Sequence, residues 1–135
     1  MKIGKHVAVD SMILIYLIEE NPDFFQSAKH KLETASQLTL STLGLGEILA
    51  GFEKKADLKG KLQFLSFLES YKKLSIVGFG KQEALIFAQL RAKYPQVKPP
   101  DTMHLATAIS ARADAFLTND KNLKCIEEIP VVVLA

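Results

Sequence analysis

The sequence predicts an α/β fold, specifically an α/β/α sandwich in which helices cover both faces of a short, mostly parallel sheet of about five strands. Short apolar segments alternate with segments of helical periodicity along the whole chain. This alternation implies parallel strands joined by right-handed crossovers. The strand segments are almost wholly apolar, as expected when both faces of a sheet are covered. With 135 residues, residues 1–135 are expected to form a single domain.

The first part of the chain predicts two strands and three helices. Lys5 to Val9 is the first strand, and Ser11 to Glu20 follows as a helix with leucines at helical spacing. Pro22 suits the first turn of a second helix, which we expect to run through residue 32. Leu38 to Ser41 is the second strand. Leu45 to Phe52 carries apolar residues at i, i+3, i+4 and i+7, which indicates a helix with one buried face.

The second part of the chain continues the alternation. Leu58 to Tyr71 repeats the amphipathic pattern, Leu74 to Val77 is the third strand, and Lys81 to Tyr94 is another helix. Three prolines then interrupt the chain before residue 101. The remaining predicted elements are a helix at Met103 to Arg112 and strands at Ala115 to Leu117 and Val131 to Leu134.

Composition excludes several classes of protein. The longest apolar stretch, Met12 to Ile18, is too short to cross a bilayer, and no secretion signal precedes it, so we expect a cytoplasmic protein without a membrane partner. The lone cysteine, Cys125, excludes an internal disulfide and a cysteine-rich zinc site. A net charge of +2 permits a nucleic-acid substrate without arguing for one.

Four acidic residues carry most of the chemical information: Asp10, Glu47, Asp101 and Asp120. Each follows a predicted strand or lies early in a helix. In a parallel sheet these junctions gather at the carboxyl ends of the strands. Two unit charges ~4 Å apart cost about 4 kcal/mol at an effective dielectric of 20, so converging carboxylates require protons or a cation. Oxygen ligands suit Mg²⁺ or Mn²⁺, and the sequence therefore predicts a metal site.

Helix capping is a structural explanation for the same acidic residues, and it competes with the metal site. Asp10, Asp101 and Asp120 each precede or open a helix, so each could be an N-cap. Glu47 lies too far from Ser41 to complete a capping box, and it borders an apolar helix face. Capping therefore explains Glu47 least well.

Four blocks of sequence resemble a known family. They read VAVDSMILIYL at residues 7–17, STLGLGEI at 41–48, PDTMHLATA at 100–108 and FLTND at 116–120. In this order they are similar to the blocks of PIN domains, especially the VapC-type toxins of VapBC toxin–antitoxin pairs. Two positions depart from the family pattern. Met12 stands where many members carry Asn, and Asn122 stands where some carry a further acidic residue.

The resemblance implies a Mg²⁺- or Mn²⁺-dependent endoribonuclease, the toxin of a type II toxin–antitoxin pair. On this basis the catalytic set is Asp10, Glu47, Asp101 and Asp120. Asp10 and Asp101 are the central metal ligands, and the other two complete the site. The resemblance also implies an antitoxin partner and a homodimer.

Further polar residues near these blocks are candidates for supporting roles. Ser11, Thr118 and Asn119 are candidates for contacts to the metal ligands or to phosphate. His104 lies one turn after Asp101, where it could touch substrate or support the site, but a hydrogen-bonded structural role is the expectation for it.

Three alternatives from other classes stay open to test. A phosphoryl-transfer domain of the haloacid-dehalogenase or response-receiver type also has Asp after its first strand, but its further acidic residues are missing around Met12. A PIN-like module could bind RNA or protein without cutting it. Four carboxylates also do not show whether the substrate contains ribose or deoxyribose, so a structure-specific DNA nuclease is the third alternative.

Overall fold

The computed structural model describes residues 5–134, which form five strands and six α-helices. The strands are β1 His6–Val9, β2 Gln37–Ser41, β3 Leu74–Val77, β4 Ala115–Thr118 and β5 Val131–Val133. The helices are α1 Ser11–Ile18, α2 Phe25–Thr34, α3 Thr42–Lys54, α4 Leu58–Ser70, α5 Lys81–Lys93 and α6 Pro99–Ser110. A 3₁₀ helix, Lys121–Cys125, follows β4.

The sheet has the order β3-β2-β1-β4-β5, and all of its pairings are parallel. The sequence predicted a mostly parallel sheet of about five strands, and the α/β fold is confirmed. The chain builds β1, β2 and β3 outward in one direction and then crosses to the other side of β1 to add β4 and β5. The direction of winding therefore reverses between β1 and β4, and ligands of open α/β sheets bind outside the strand ends at such a point.

Alternate side chains of the central strands point into two apolar layers. Val7 and Val9 pack in the layer that contains α1, α2, α3 and α4, whereas Ala8 packs in the layer that contains α5 and α6. Phe116 of β4 joins Ala8, while its neighbours Ala115 and Leu117 face the opposite layer. Because both faces of β1 and β4 are buried, their ends are held rigidly where the acidic residues emerge.

Several boundaries differ from those expected. The second helix does not begin at Pro22 but at Phe25. The Asn21 side chain accepts hydrogen bonds from the backbone N–H groups of Asp23 and Phe24, at 2.9 and 3.0 Å, and so forms a turn that delays the helix. The helix expected from Met103 begins earlier, at Pro99, because prolines fit the first positions of a helix.

The described helices are short. The longest of them, α3, α4 and α5, have 13 residues each. None of the helices in residues 5–134 has the length and apolar character that a bilayer crossing requires.

Candidate functional site

An open cleft lies at the carboxyl ends of β1 and β4, with a volume of about 410 Å³. The structure brings all seven of the site residues expected from the sequence to its walls, together with Met12 and Tyr16. The lining residues are Asp10, Ser11, Met12, Tyr16, Glu47, Asp101, Thr118, Asn119 and Asp120. One cleft elsewhere on the molecule is larger and more apolar, at about 450 Å³, but it contains none of these seven residues.

Asp10 lines the cleft from the end of β1, the central strand of the sheet. Its backbone N–H donates to the carbonyl of Leu117 at 2.9 Å, which extends the β1–β4 pairing by one residue. Asp10 occupies the N-cap position of α1, yet its side chain makes no capping hydrogen bond. Instead, Oδ2 accepts a hydrogen bond from Thr118 Oγ1 at 2.9 Å. The capping interpretation of Asp10 is therefore wrong.

Asp101 lies in the first turn of α6, where Lys98 is the N-cap, so it does not cap the helix either. Partial burial raises the pKa of the Asp101 carboxyl, and the negative charges of Asp10 and Asp120 raise it further. Glu47 adds a smaller contribution in the same direction, while His104 opposes it. Burial and the negative charge of the neighbouring acidic residues therefore both disfavour ionisation of the Asp101 carboxyl.

Asp120 follows β4 and does act as a helix cap. Its Oδ1 accepts a hydrogen bond from the backbone N–H of Asn122 at 2.9 Å, at the start of the 3₁₀ helix. Its own backbone N–H donates to Thr118 Oγ1 at 3.1 Å. The Thr118 hydroxyl, which is fully buried, therefore accepts from Asp120 and donates to Asp10, and it fixes the spacing between the two acidic residues.

Glu47 lies in the second turn of α3 and reaches the cleft from the side of β2. Its Oε1 accepts two hydrogen bonds of 2.9 Å, one from Ser11 Oγ and one from His104 Nε2. The N-cap of this helix is Ser41, whose Oγ accepts from the Gly44 N–H at 2.9 Å. The expectation that Glu47 has no capping role agrees with this geometry.

Sequence reasoning missed Tyr16, and it did not predict the contact that His104 makes. Tyr16 lies on the cleft wall, and its hydroxyl accepts a hydrogen bond from Asn119 Nδ2 at 2.8 Å. Its ring stacks on Phe24 with the centroids 4.8 Å apart. His104 was expected to be hydrogen-bonded, but not to contact Glu47. Its position three residues after Asp101 was the available signal, because residues at i and i+3 share a helix face.

The donor set suits a hard divalent cation. Asp10, Glu47 and Asp120 each use one carboxylate oxygen for a protein hydrogen bond. The other oxygen of each has no protein donor among residues 5–134, and the Asp101 carboxylate accepts no hydrogen bond from them. Across the same residues, no three His, Cys, Asp or Glu side chains are close enough to form a preformed metal cage. Mg²⁺ keeps several waters and binds one or two carboxylates directly, so this wider arrangement fits it.

The raised pKa of Asp101 leads to a stability prediction. A carboxyl whose pKa is raised by folding destabilises the folded state when ionised, so stability rises as pH falls through the raised pKa. Asp101→Asn removes the charge, and we expect the variant in EDTA at pH 7 to melt at the wild-type temperature or a few degrees above it. Mg²⁺ should raise the Tm of the wild type more than that of the variant, which differential scanning fluorimetry measures.

The control for this experiment is Asp23→Asn, the same chemical change at an exposed position outside the cleft. It should leave the Mg²⁺ response unchanged. A wild-type Tm that does not respond to Mg²⁺, or an equal response in Asp101→Asn, would contradict the assignment of cation binding to this cleft.

Comparisons with known proteins agree with the fold. The family model described as PIN domain matches residues 7–129. A comparison with curated proteins finds no match.

Solved structures with the same fold include several toxin–antitoxin complexes. One, from Klebsiella pneumoniae, is 25% identical over 96% of this chain and 98% of that chain, with a TM-score of 0.77. VapBC2 from Rickettsia felis, bound to a DNA fragment from its promoter, is 23% identical over 96% and 99%, with a TM-score of 0.73. VapC20 from Mycobacterium tuberculosis, a sarcin-ricin-loop-cleaving toxin, is 11% identical over 92% and 98%, with a TM-score of 0.72.

Proposed function

The chain belongs to the PIN-domain family, and on this premise we propose that it is a Mg²⁺- or Mn²⁺-dependent endoribonuclease that acts as the toxin of a toxin–antitoxin pair. The observation that carries the proposal is the cleft at the winding reversal of the sheet, which is lined by four acidic side chains. Burial and like charge raise the pKa of Asp101 there, so a bound cation relieves a real electrostatic cost.

In the proposed site, Asp10 and Asp101 would hold the metal directly or through water, and Glu47 and Asp120 would complete the set. When bound, a divalent cation lowers the pKa of a coordinated water and neutralises charge on the phosphate. The free oxygen of Glu47 or of Asp120 accepts a hydrogen bond from the attacking water and orients it toward phosphorus. Thr118 restricts Asp10 to one orientation through the 2.9 Å hydrogen bond to its Oδ2.

The hydrogen bonds favour a supporting role for the polar residues around the carboxylates. The Ser11 and Thr118 hydroxyls each donate their one proton to a carboxylate, to Glu47 and Asp10 respectively. Neither hydroxyl therefore has a proton left for a phosphate oxygen. The Asn119 amide donates to Tyr16, which holds the segment after β4 against α1.

We propose that a protein partner binds at the apolar side of α1. A cleft of about 450 Å³ opens between α1, α3 and α4, and Phe67 on its wall is 42% exposed. Similar folds occur in solved toxin–antitoxin complexes, which supports an antitoxin segment with apolar side chains as the occupant. Self-association into a homodimer is the second proposed contact, and light scattering on the isolated chain measures it.

A substrate panel tests the proposed function. Structured RNA, single-stranded RNA and DNA of matching sequence are incubated with the protein in Mg²⁺, Mn²⁺ or EDTA. We expect cleavage of RNA in either metal, none in EDTA, and none of DNA. Cleavage of DNA in preference to RNA would support the structure-specific DNA nuclease. RNA binding without cleavage of any substrate would support the non-catalytic module.

A further inference from the structure

A buried chain of hydrogen bonds runs behind Glu47. Ser41 Oγ and His104 Nδ1 are 2.7 Å apart, and His104 Nε2 is 2.9 Å from Glu47 Oε1. The His104 side chain is 2% exposed, whereas that of Glu47 is 39% exposed. The chain therefore begins in the protein interior and ends at the cleft.

The hydrogen-bond partners of the His104 imidazole determine which of its two ring nitrogens carries the proton. Ser41 Oγ already accepts the N–H of Gly44, so its own proton is available to donate to His104 Nδ1. Nε2 then carries a proton and donates it to the Glu47 carboxylate, which can only accept. The opposite tautomer would place the Nε2 lone pair against a carboxylate oxygen, which is repulsive. Nε2 is therefore the donor to Glu47.

A hydrolytic triad also consists of a serine, a histidine and a carboxylate in one hydrogen-bonded chain. Here the chain has the opposite orientation relative to the cleft. In a triad the serine faces the substrate and the carboxylate is buried. Here Ser41 is 6% exposed and caps α3, and the carboxylate is the member that lines the cleft. Ser41 is therefore no nucleophile, and the chain ends on Glu47.

We propose that His104 is a positioning residue for Glu47, and this inference rests on the proposed function. Both bonds to Glu47 fall on Oε1, one from His104 and one from Ser11, which leaves the other oxygen without a protein donor among residues 5–134. His104 belongs to α6, one turn after Asp101, while Glu47 belongs to α3. The histidine bond therefore also fixes the distance between two acidic residues that come from different helices.

Two substitutions separate the bond to Glu47 from the bond to Ser41. In His104→Gln the side-chain amide nitrogen reaches the position of Nε2 and can still donate to Glu47. In His104→Asn the shorter amide reaches only the position of Nδ1, so it keeps Ser41 as a partner and loses Glu47. Both variants bury an uncharged amide in the same pocket, and the Tm of each reports the structural cost of its substitution, so a loss of kcat in His104→Asn beyond that cost reports the bond to Glu47. His30→Gln and His30→Asn, at an exposed histidine, are matched controls.

The kinetic readout is kcat and KM for RNA cleavage. We expect His104→Asn to lower kcat by about 10–100-fold with little change in KM, the usual cost of losing a residue that orients a metal ligand. His104→Gln should recover most of that loss, although the Tm values of the two variants are similar. Equal losses of kcat in both variants, or no loss in His104→Asn, would overturn the proposal.

Mn²⁺ affinity, measured by calorimetry without RNA, provides the second readout. His104→Asn should bind Mn²⁺ about 10–100-fold more weakly than the wild type, and His104→Gln should lie close to the wild type. If the wild type cuts no RNA but shows this pattern, the nuclease proposal fails and the positioning role stands. If the wild type cuts RNA and both variants bind Mn²⁺ equally, the positioning role fails alone. A wild type that neither cuts RNA nor binds Mn²⁺ overturns both.

Discussion

Asp10→Asn is expected to lower the rate of RNA cleavage on the order of 10³-fold, which corresponds to about 4 kcal/mol in the transition state. The substitution removes the negative charge from the carboxylate at the end of the central strand. It keeps an oxygen that can accept the hydrogen bond from Thr118, which in the wild type is 2.9 Å long. The side chain therefore retains its orientation while it loses its affinity for a cation, so the loss reports chemistry and not misfolding.

The measurement is single-turnover cleavage of a labelled RNA in Mg²⁺, with Asp23→Asn as the control and the Tm of each protein recorded. Asp23 is exposed and lies outside the cleft, so its variant should cut at the wild-type rate. Equal cleavage by wild type and Asp10→Asn would show that the activity belongs to a contaminant.

Phe116→Ala is expected to destabilise the protein by about 3–5 kcal/mol, the usual cost of truncating a buried phenylalanine. Phe116 is 1% exposed and belongs to the apolar layer beneath α5 and α6. It lies on β4, two residues before Thr118, so it also anchors the strand that delivers Thr118 and Asp120 to the cleft. A loss of this size is a large part of the stability of a typical domain.

Urea denaturation measures this effect, with Phe67→Ala as the matched control. Phe67 is 42% exposed on α4, so its truncation removes less buried surface and should cost clearly less. If the two variants unfold at the same urea concentration, Phe116 does not have the structural role that its burial indicates.

The fold was predictable because its signals are local. Most strands are short and largely apolar runs, and several helices show their buried faces through spacing, so these elements could be located without tertiary information. Two of the four acidic positions could be located for the same reason, since Asp10 comes one residue after the end of β1 and Asp120 two residues after the end of β4. Parallel pairing then implied that they meet at one edge of the sheet, which they do.

What could not be predicted depends on contacts between residues distant in sequence. The capping interpretation failed for Asp10 because Thr118, 108 residues away, supplies the donor to its carboxylate. The contact between His104 and Glu47 joins two helices whose relative position no local pattern reports. The late start of α2 is different in kind, because its signal is local: Asn21 directly precedes Pro22, and the Asn21 side chain forms a turn that competes with a helix start at the proline.

In the proposed function, the cleft lined by four carboxylates binds a divalent cation and uses it to cut RNA. The most direct test is the single-turnover rate of RNA cleavage as a function of Mg²⁺ concentration, for wild type and Asp101→Asn. We predict a wild-type rate that rises to saturation with Mg²⁺ and vanishes in EDTA, and a variant rate lower by at least about 10²-fold at every concentration. Wild-type cleavage that persists in EDTA, or a variant that cuts as fast as the wild type, would contradict the claim.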